Sequence, residues 1–131
     1  MWNFNYYESP NGTSEVRDTF DSGSDELQAN LIVAFEYLQV REKQDWTNPR
    51  NFAAKLSAGK GYRDYYEIRI RANNVQQRPI GYFGPKNNDF TILIWATEKG
   101  HKIIPEGWHK KADRLRLKLE DQTANAKPFD F

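Results

Sequence analysis

The chain contains no cysteine. Disulfides and thiolate metal sites are therefore excluded, and the redox compartment is left undetermined. It has two histidines, at 101 and 109. So small a supply of ring nitrogens makes a structural zinc site a poor reading, and no cofactor is expected. Long apolar runs are missing too. The longest, LIVAF and ILIWA, hold five residues each, against the ~20 of a membrane span. The N-terminal MWNFNYYESPNG lacks a basic region followed by an apolar stretch, so no secretory signal is read there and a cytoplasmic protein without membrane contact is expected.

What is present is aromatic and charged. Aromatic residues make up 15% of 131 residues, enough for one domain with a real core. The net charge of +1 conceals an asymmetry. Residues 1–62 carry six Lys/Arg against nine Asp/Glu, and residues 63–131 carry thirteen against nine. The basic excess is compatible with a nucleic-acid footprint, or with a solvated face.

Local patterns give the elements. Trp2, Phe4 and Tyr6 alternate with Asn3, Asn5 and Tyr7, which predicts a strand. Thr13 or Ser14 caps a short helix to Phe20, and Ser24 caps a longer one to about Gln39, with Leu27, Leu31, Ala34, Phe35 and Leu38 on one stripe. Pro49 opens a further short helix ending at Gly59, with Phe52, Ala53 and Leu56 facing inward. Strands follow at 64–72, 77–83 and 89–97, the last apolar on both faces and so central. Asn73-Asn74 turns the first hairpin. Pro105 opens a last helix with Trp108, Ala112, Leu115 and Leu119 inside and a basic outer face of Lys110, Lys111, Arg114 and Lys118. Residues 121–131 form a polar tail expected to fray. The result is an α+β domain over 1–120. Its small, largely antiparallel sheet of about four strands has N-terminal helices on one face and a C-terminal helix.

The stretch YYEIRIRANNVQQR, Tyr65 to Arg78, holds the candidate chemistry. Strand alternation puts Tyr66, Ile68 and Ile70 on one face and Tyr65, Glu67, Arg69 and Arg71 on the other. Arg78 opens the next strand. Guanidiniums stay charged at physiological pH and their planar fork suits phosphate oxygens. A polynucleotide backbone is a plausible guest for such a face.

Four blocks in order carry a family resemblance. GTSEVRDTFDS resembles a "SPVREFLDSL"-like segment, KLSAGKGYRDYYEIRIR a "KLxxGLYELRIR" block, and QRPIGYF a "YRxxYF" strand. ILIWATEKGHKIIPEGWHKKADRL resembles a "xxLLHGFxKKTxKTPxxEIxxAxxR" end. Over Trp2 to about Glu120 the chain is similar to the RelE/ParE toxin superfamily, in its HigB-like, phage-derived branch. The resemblance implies a RelE-like fold and a toxin of a toxin–antitoxin pair. The toxin so implied is a metal-independent endoribonuclease (an mRNA interferase), acting on mRNA free or on the ribosome. Its partners are mRNA, the ribosome and an antitoxin of helix-turn-helix type. The RNA 2′-OH attacks its own phosphate to give a cyclic phosphate.

On that resemblance Arg69, Arg71 and Arg78 bind and polarise the scissile phosphate. Lys99, Lys102 and Lys110 hold RNA phosphates, Tyr65 or Trp108 stacks on a base, and His101 moves protons. Glu67 departs from the pattern: some relatives carry a basic residue there, and a carboxylate repels phosphate. Alternatives stay open at each position. Arg71 pairs with a helix carboxylate such as Glu36, Arg78 is an internal structural arginine, His101 is a loop residue, and Trp108 is core. A gyrase-poisoning ParE-like toxin, or a non-enzymatic phage-derived partner-binding protein, remains open on the same sequence.

Overall fold

A computed structural model describes residues 1–56 and 63–130. Strand β1 (Asn3–Glu8) leads into two helices, α1 (Glu15–Asp21) and α2 (Asp25–Gln39). Both helices start where the sequence places their caps. Ser14 Oγ accepts the Arg17 N–H and Ser24 Oγ accepts the Leu27 N–H, each at 3.1 Å. Asp25 and Glu26 sit in the first turn of α2, where the helix dipole favours negative charge. Leu27, Leu31, Ala34, Phe35 and Leu38 are its buried stripe.

The sheet is larger than the sequence suggests, and the expected four-stranded, largely antiparallel arrangement is overturned. Eight strands form one mixed sheet: β1, β2 (Ala53–Leu56), β3 (Tyr65–Ile68), β4 (Ile70–Ala72), β5 (Val75–Phe83), β6 (Asp89–Lys99), β7 (Lys102–Ile104) and β8 (Asn125–Pro128). The order is β2-β3-β5-β6-β1-β8, with β4 on β5 and β7 on β6. After α1 and α2 the chain returns so that β6 runs parallel to β1, with Phe4 opposite Phe90 and Tyr6 opposite Ile92. The other pairs are antiparallel. Helix α3 (Trp108–Glu120) precedes β8.

Three segments differ from their sequence patterns for one physical reason. Every residue of β3 is buried, so its outer backbone groups need partners. Ala53–Leu56 supplies them as a strand, Ala53 opposite Ile68 and Leu56 opposite Tyr65, where a helix was expected. Gly59, the expected end of that helix, lies outside the described residues. The predicted strand 64–72 breaks at Arg69, whose N–H donates to Phe52 O at 2.7 Å. At the far edge, the tail expected to fray pairs with β1, Tyr6 opposite Lys127, and Phe129 is buried against Tyr6, Phe20 and Phe35.

Two cores result, one on each face. Phe4, Phe20, Leu31, Phe35, Trp46, Phe90 and Ile92 pack together beneath α1 and α2. Tyr65, Ile80, Leu93, Ile94, Leu115 and Leu119 pack beneath α3. β6 is buried from Asp89 to Ala96 and lies in the interior of the sheet, as its doubly apolar pattern predicts. A bulge between Ile80 and Gly81 shifts its register with β5. Gly81 has no alternative there, since a Cβ would meet Thr91 O at 2.3 Å.

Candidate functional site

The pleat sorts the arginines as the sequence predicts. Ile70 and Ala72 lie in the core beneath α1 and α2, so Arg71 projects to the opposite face. Arg78 is opposite Ala96, which belongs to the core beneath α3. Arg69, Arg71 and Arg78 therefore share the α3 side of the sheet.

They are not three free cations. Arg78 is 4% exposed. Its Nε lies 2.8 Å from Glu67 Oε2 and 3.6 Å from Glu98 Oε1. The 2.8 Å contact is ionic rather than a hydrogen bond, because the Nε–H does not aim along it. The Arg78 Nη1–H group donates to Gln77 O at 2.9 Å, and Nη2–H donates to Gln76 Oε1. Arg69 places Nη1 3.6 Å from Glu67 Oε1 and keeps about a third of its side chain in solvent. Arg71 is exposed and donates to Asn74 Oδ1 at 2.7 Å, not to Glu36.

Glu67 is the residue the sequence reading undervalued. Its carboxylate holds Arg69 and Arg78 together from the middle of a buried strand. Burial pushes its pKa above the ordinary carboxylate value, against the downward pull of Arg78, Arg69 and the more distant Arg50. A strand reading YYEI, with an acid inside a buried apolar run, was the available signal. Glu98, opposite Gln76 on the adjoining strands, is the second carboxylate the sequence reading did not place here.

The remaining candidates are elsewhere. Lys99 and Lys102 are paired across the β6–β7 turn, and the neighbouring pair Glu98–Ile103 faces Arg78. Alternation therefore sends both lysines to the opposite face. Gly100 and His101 have φ of 56° and 67°, the signature of a two-residue type I′ turn, and His101 is exposed at its tip. Tyr65 is fully buried, its hydroxyl donates to Asp113 Oδ1, and burial with that bond pushes its pKa far up. It is not free to stack on a base. Trp108 stands edge-on to Tyr65 at 6.0 Å between centroids, as a core residue does. Lys110 is exposed on α3. The structure thus joins Arg69, Arg78 and Glu67, leaves Arg71 nearby, and separates Lys99, Lys102, His101 and Tyr65 from them.

Among the described residues no group of three His, Asp or Glu converges as a metal-ligand set, and no helix is long and apolar enough to cross a membrane. No protein-family model matches the chain, and comparisons with curated proteins and with solved structures also return no match.

Proposed function

We propose that this chain is an RNA-cleaving toxin of a toxin–antitoxin pair, acting in the cytoplasm on mRNA. One observation carries the reading: two arginines, Arg69 at the break between β3 and β4 and reaching solvent, and Arg78 of β5, converge on a buried carboxyl whose pKa is raised. The ordered resemblance of four sequence blocks supports it. A carboxyl made more basic by burial suits a general base, and fixed guanidiniums suit the charge that develops on a phosphorane. In this scheme Glu67 takes the proton of the RNA 2′-OH. The oxygen attacks the adjacent phosphorus, the P–O5′ bond breaks, the 5′-oxygen leaves with a proton taken from solvent water, and a 2′,3′-cyclic phosphate remains. Arg69, the partner at the solvent edge, swings onto the incoming phosphate and opens the way to Glu67 and Arg78. Arg71 holds a flanking phosphate.

The test is cleavage of single-stranded RNA, free and on translating ribosomes, in EDTA. Expected are products ending in cyclic phosphate, and a loss of roughly 100-fold or more in Glu67→Gln, the scale on which general-base groups contribute. Arg69→Ala, at a half-exposed site, is the variant least open to misfolding and should also lose activity. Cleavage undiminished in both variants refutes these roles.

A second reading is favoured by the depth of Arg78. An arginine sealed between two carboxylates is also what a structural ion pair looks like. On that reading the fold is a partner-binding protein without enzymatic activity. Absence of cleavage in both assays, with wild-type growth on overexpression, would favour it over the nuclease.

A further inference from the structure

The sheet face under α3 has a second opening, at the end away from Arg78. Past the C-terminal half of α3 the floor made by β1 and the β5–β6 turn is uncovered, leaving a cleft of about 1030 Å³. A side chamber of about 260 Å³ adjoins it and shares the Tyr82, Phe83 and Arg116 walls. Together they are ample for a small ligand.

The side chamber is built from donors. Lys43, Arg63 and Arg116 line it, with Asp64 as its one carboxylate. Lys43 Nζ rests 4.7 Å from the Phe83 ring centroid and has no carboxylate partner among the described residues. Arg63 and Arg116 both lean on Glu120. Tyr82 is 2% exposed, and its hydroxyl has no hydrogen-bond partner. The Arg116 Nε is likewise buried without one. Burial pushes the Tyr82 pKa up to about 12, so the hydroxyl stays a donor. The Arg116 guanidinium lies over the Tyr82 ring, 4.3 Å from its centroid. A buried hydroxyl without an acceptor is a standing cost that a ligand oxygen would relieve. The main cleft has a different chemistry. Asn3, Asn5 and Asp89 line it, and the Asn3 Nδ2–H group reaches Asp89 Oδ1 only loosely, at 3.4 Å. Amides and a carboxylate suit base edges and ribose hydroxyls.

We propose that this cleft binds a nucleotide phosphate, with Arg116, Arg63, Lys43 and the Tyr82 hydroxyl on the phosphoryl oxygens and Asn3, Asn5 and Asp89 toward the nucleoside. A phosphate monoester supplies up to two negative charges and three strong acceptors, which is what this donor set lacks. Arg116 turns from the Tyr82 ring and from Glu120 to the phosphate, and the hydroxyl gains its acceptor. The proposal does not rest on the nuclease reading. It uses other residues, gathered where the ends of β3 and β5 meet α3, and binding is measured without cleavage.

Two sources share this chemistry: a free mononucleotide and the phosphorylated 5′ end of an RNA. Calorimetric titration with AMP, adenosine, and a short oligoribonucleotide bearing a 5′-phosphate or a 5′-hydroxyl separates them, with the RNA arms run in Glu67→Gln protein. Tyr82→Phe keeps the ring and removes only the hydroxyl. Expected is saturable binding of a phosphate-bearing probe, weakened about tenfold by Tyr82→Phe and by Lys43→Ala, the worth of one charge-assisted bond, and weakened at least as much when the phosphate is omitted. Binding of AMP assigns the site to the free nucleotide, and binding of the phosphorylated RNA alone assigns it to the RNA end. The proposal is overturned if neither probe saturates. It is equally overturned if adenosine or the 5′-hydroxyl RNA binds as well as its phosphorylated counterpart, or if both variants leave the affinity unchanged.

Discussion

The two faces of the sheet are closed in different ways. Beneath α1 and α2 the buried side chains are aromatic and aliphatic, with Phe4 stacked on Phe35 at 4.0 Å. The buried polar group on the sheet there is Gln77, whose Oε1 accepts the Trp95 indole N–H at 2.8 Å. Beneath α3 the sheet buries Glu67, Arg78 and Asp89. Burying charge is costly unless it is paired, so an apolar face is the default of a core. A face that departs from the default, beside both a solvent-reaching arginine and an open cleft, is where ligand chemistry is expected. The α1/α2 face is closed by apolar packing, and the α3 face carries the buried charge.

That contrast can be broken experimentally. The largest effect belongs to the apolar face. Phe35→Ala removes a ring stacked on Phe4 and edge-on to Phe129 and should cost about 4 kcal/mol in urea unfolding. A loss under 1 kcal/mol would mean that this face is not the main source of stability. On the charged face, Arg78→Met leaves the buried Glu67 with Arg69 alone, at 3.6 Å, and should cost about 3 kcal/mol, while Glu67→Met combined with Arg78→Met should recover most of that loss. A double variant no better than the single one would show that the pair stabilises the fold instead of serving a ligand.

The smallest effect is a pH dependence. The folded pKa of Glu67 lies above its unfolded value, so the native state keeps the proton longer. Stability from this group is therefore greatest below about pH 4.5 and declines as pH rises through the folded pKa. Glu67→Gln should remove that slope, seen as a stability difference between wild type and variant that changes with pH from 4 upward. An unchanged difference would place the carboxyl at its ordinary value.

Much of this was legible in the chain. The caps Ser14 and Ser24 and the i, i+4 stripe of α2 fix the helices through local chemistry. The pleat alone placed Arg69 and Arg71 opposite Ile68 and Ile70. The rest depended on distant partners. AAKL and NAKP carry no strong strand signal, and they become β2 and β8 because β3 and β1 would otherwise leave backbone edges open. Lys99 and Lys102 were placed with the arginines on the family resemblance. The register of the β6–β7 turn, which no local pattern announces, puts them in the opposite phase. Tyr65 was placed correctly on the arginine face, but that α3 would cover it depends on where a helix 43 residues later comes to rest.

The parallel seam between β1 and β6 has a kinetic consequence. Its first contact joins Asn3 to Asp89, 86 residues apart, and β8, which docks on the other side of β1, lies farther still along the chain. Strand β1 thus waits for partners made long after it. Such high contact order slows folding. While it waits, β1 exposes Phe4 and two unpaired edges, a nascent state that invites aggregation or a chaperone.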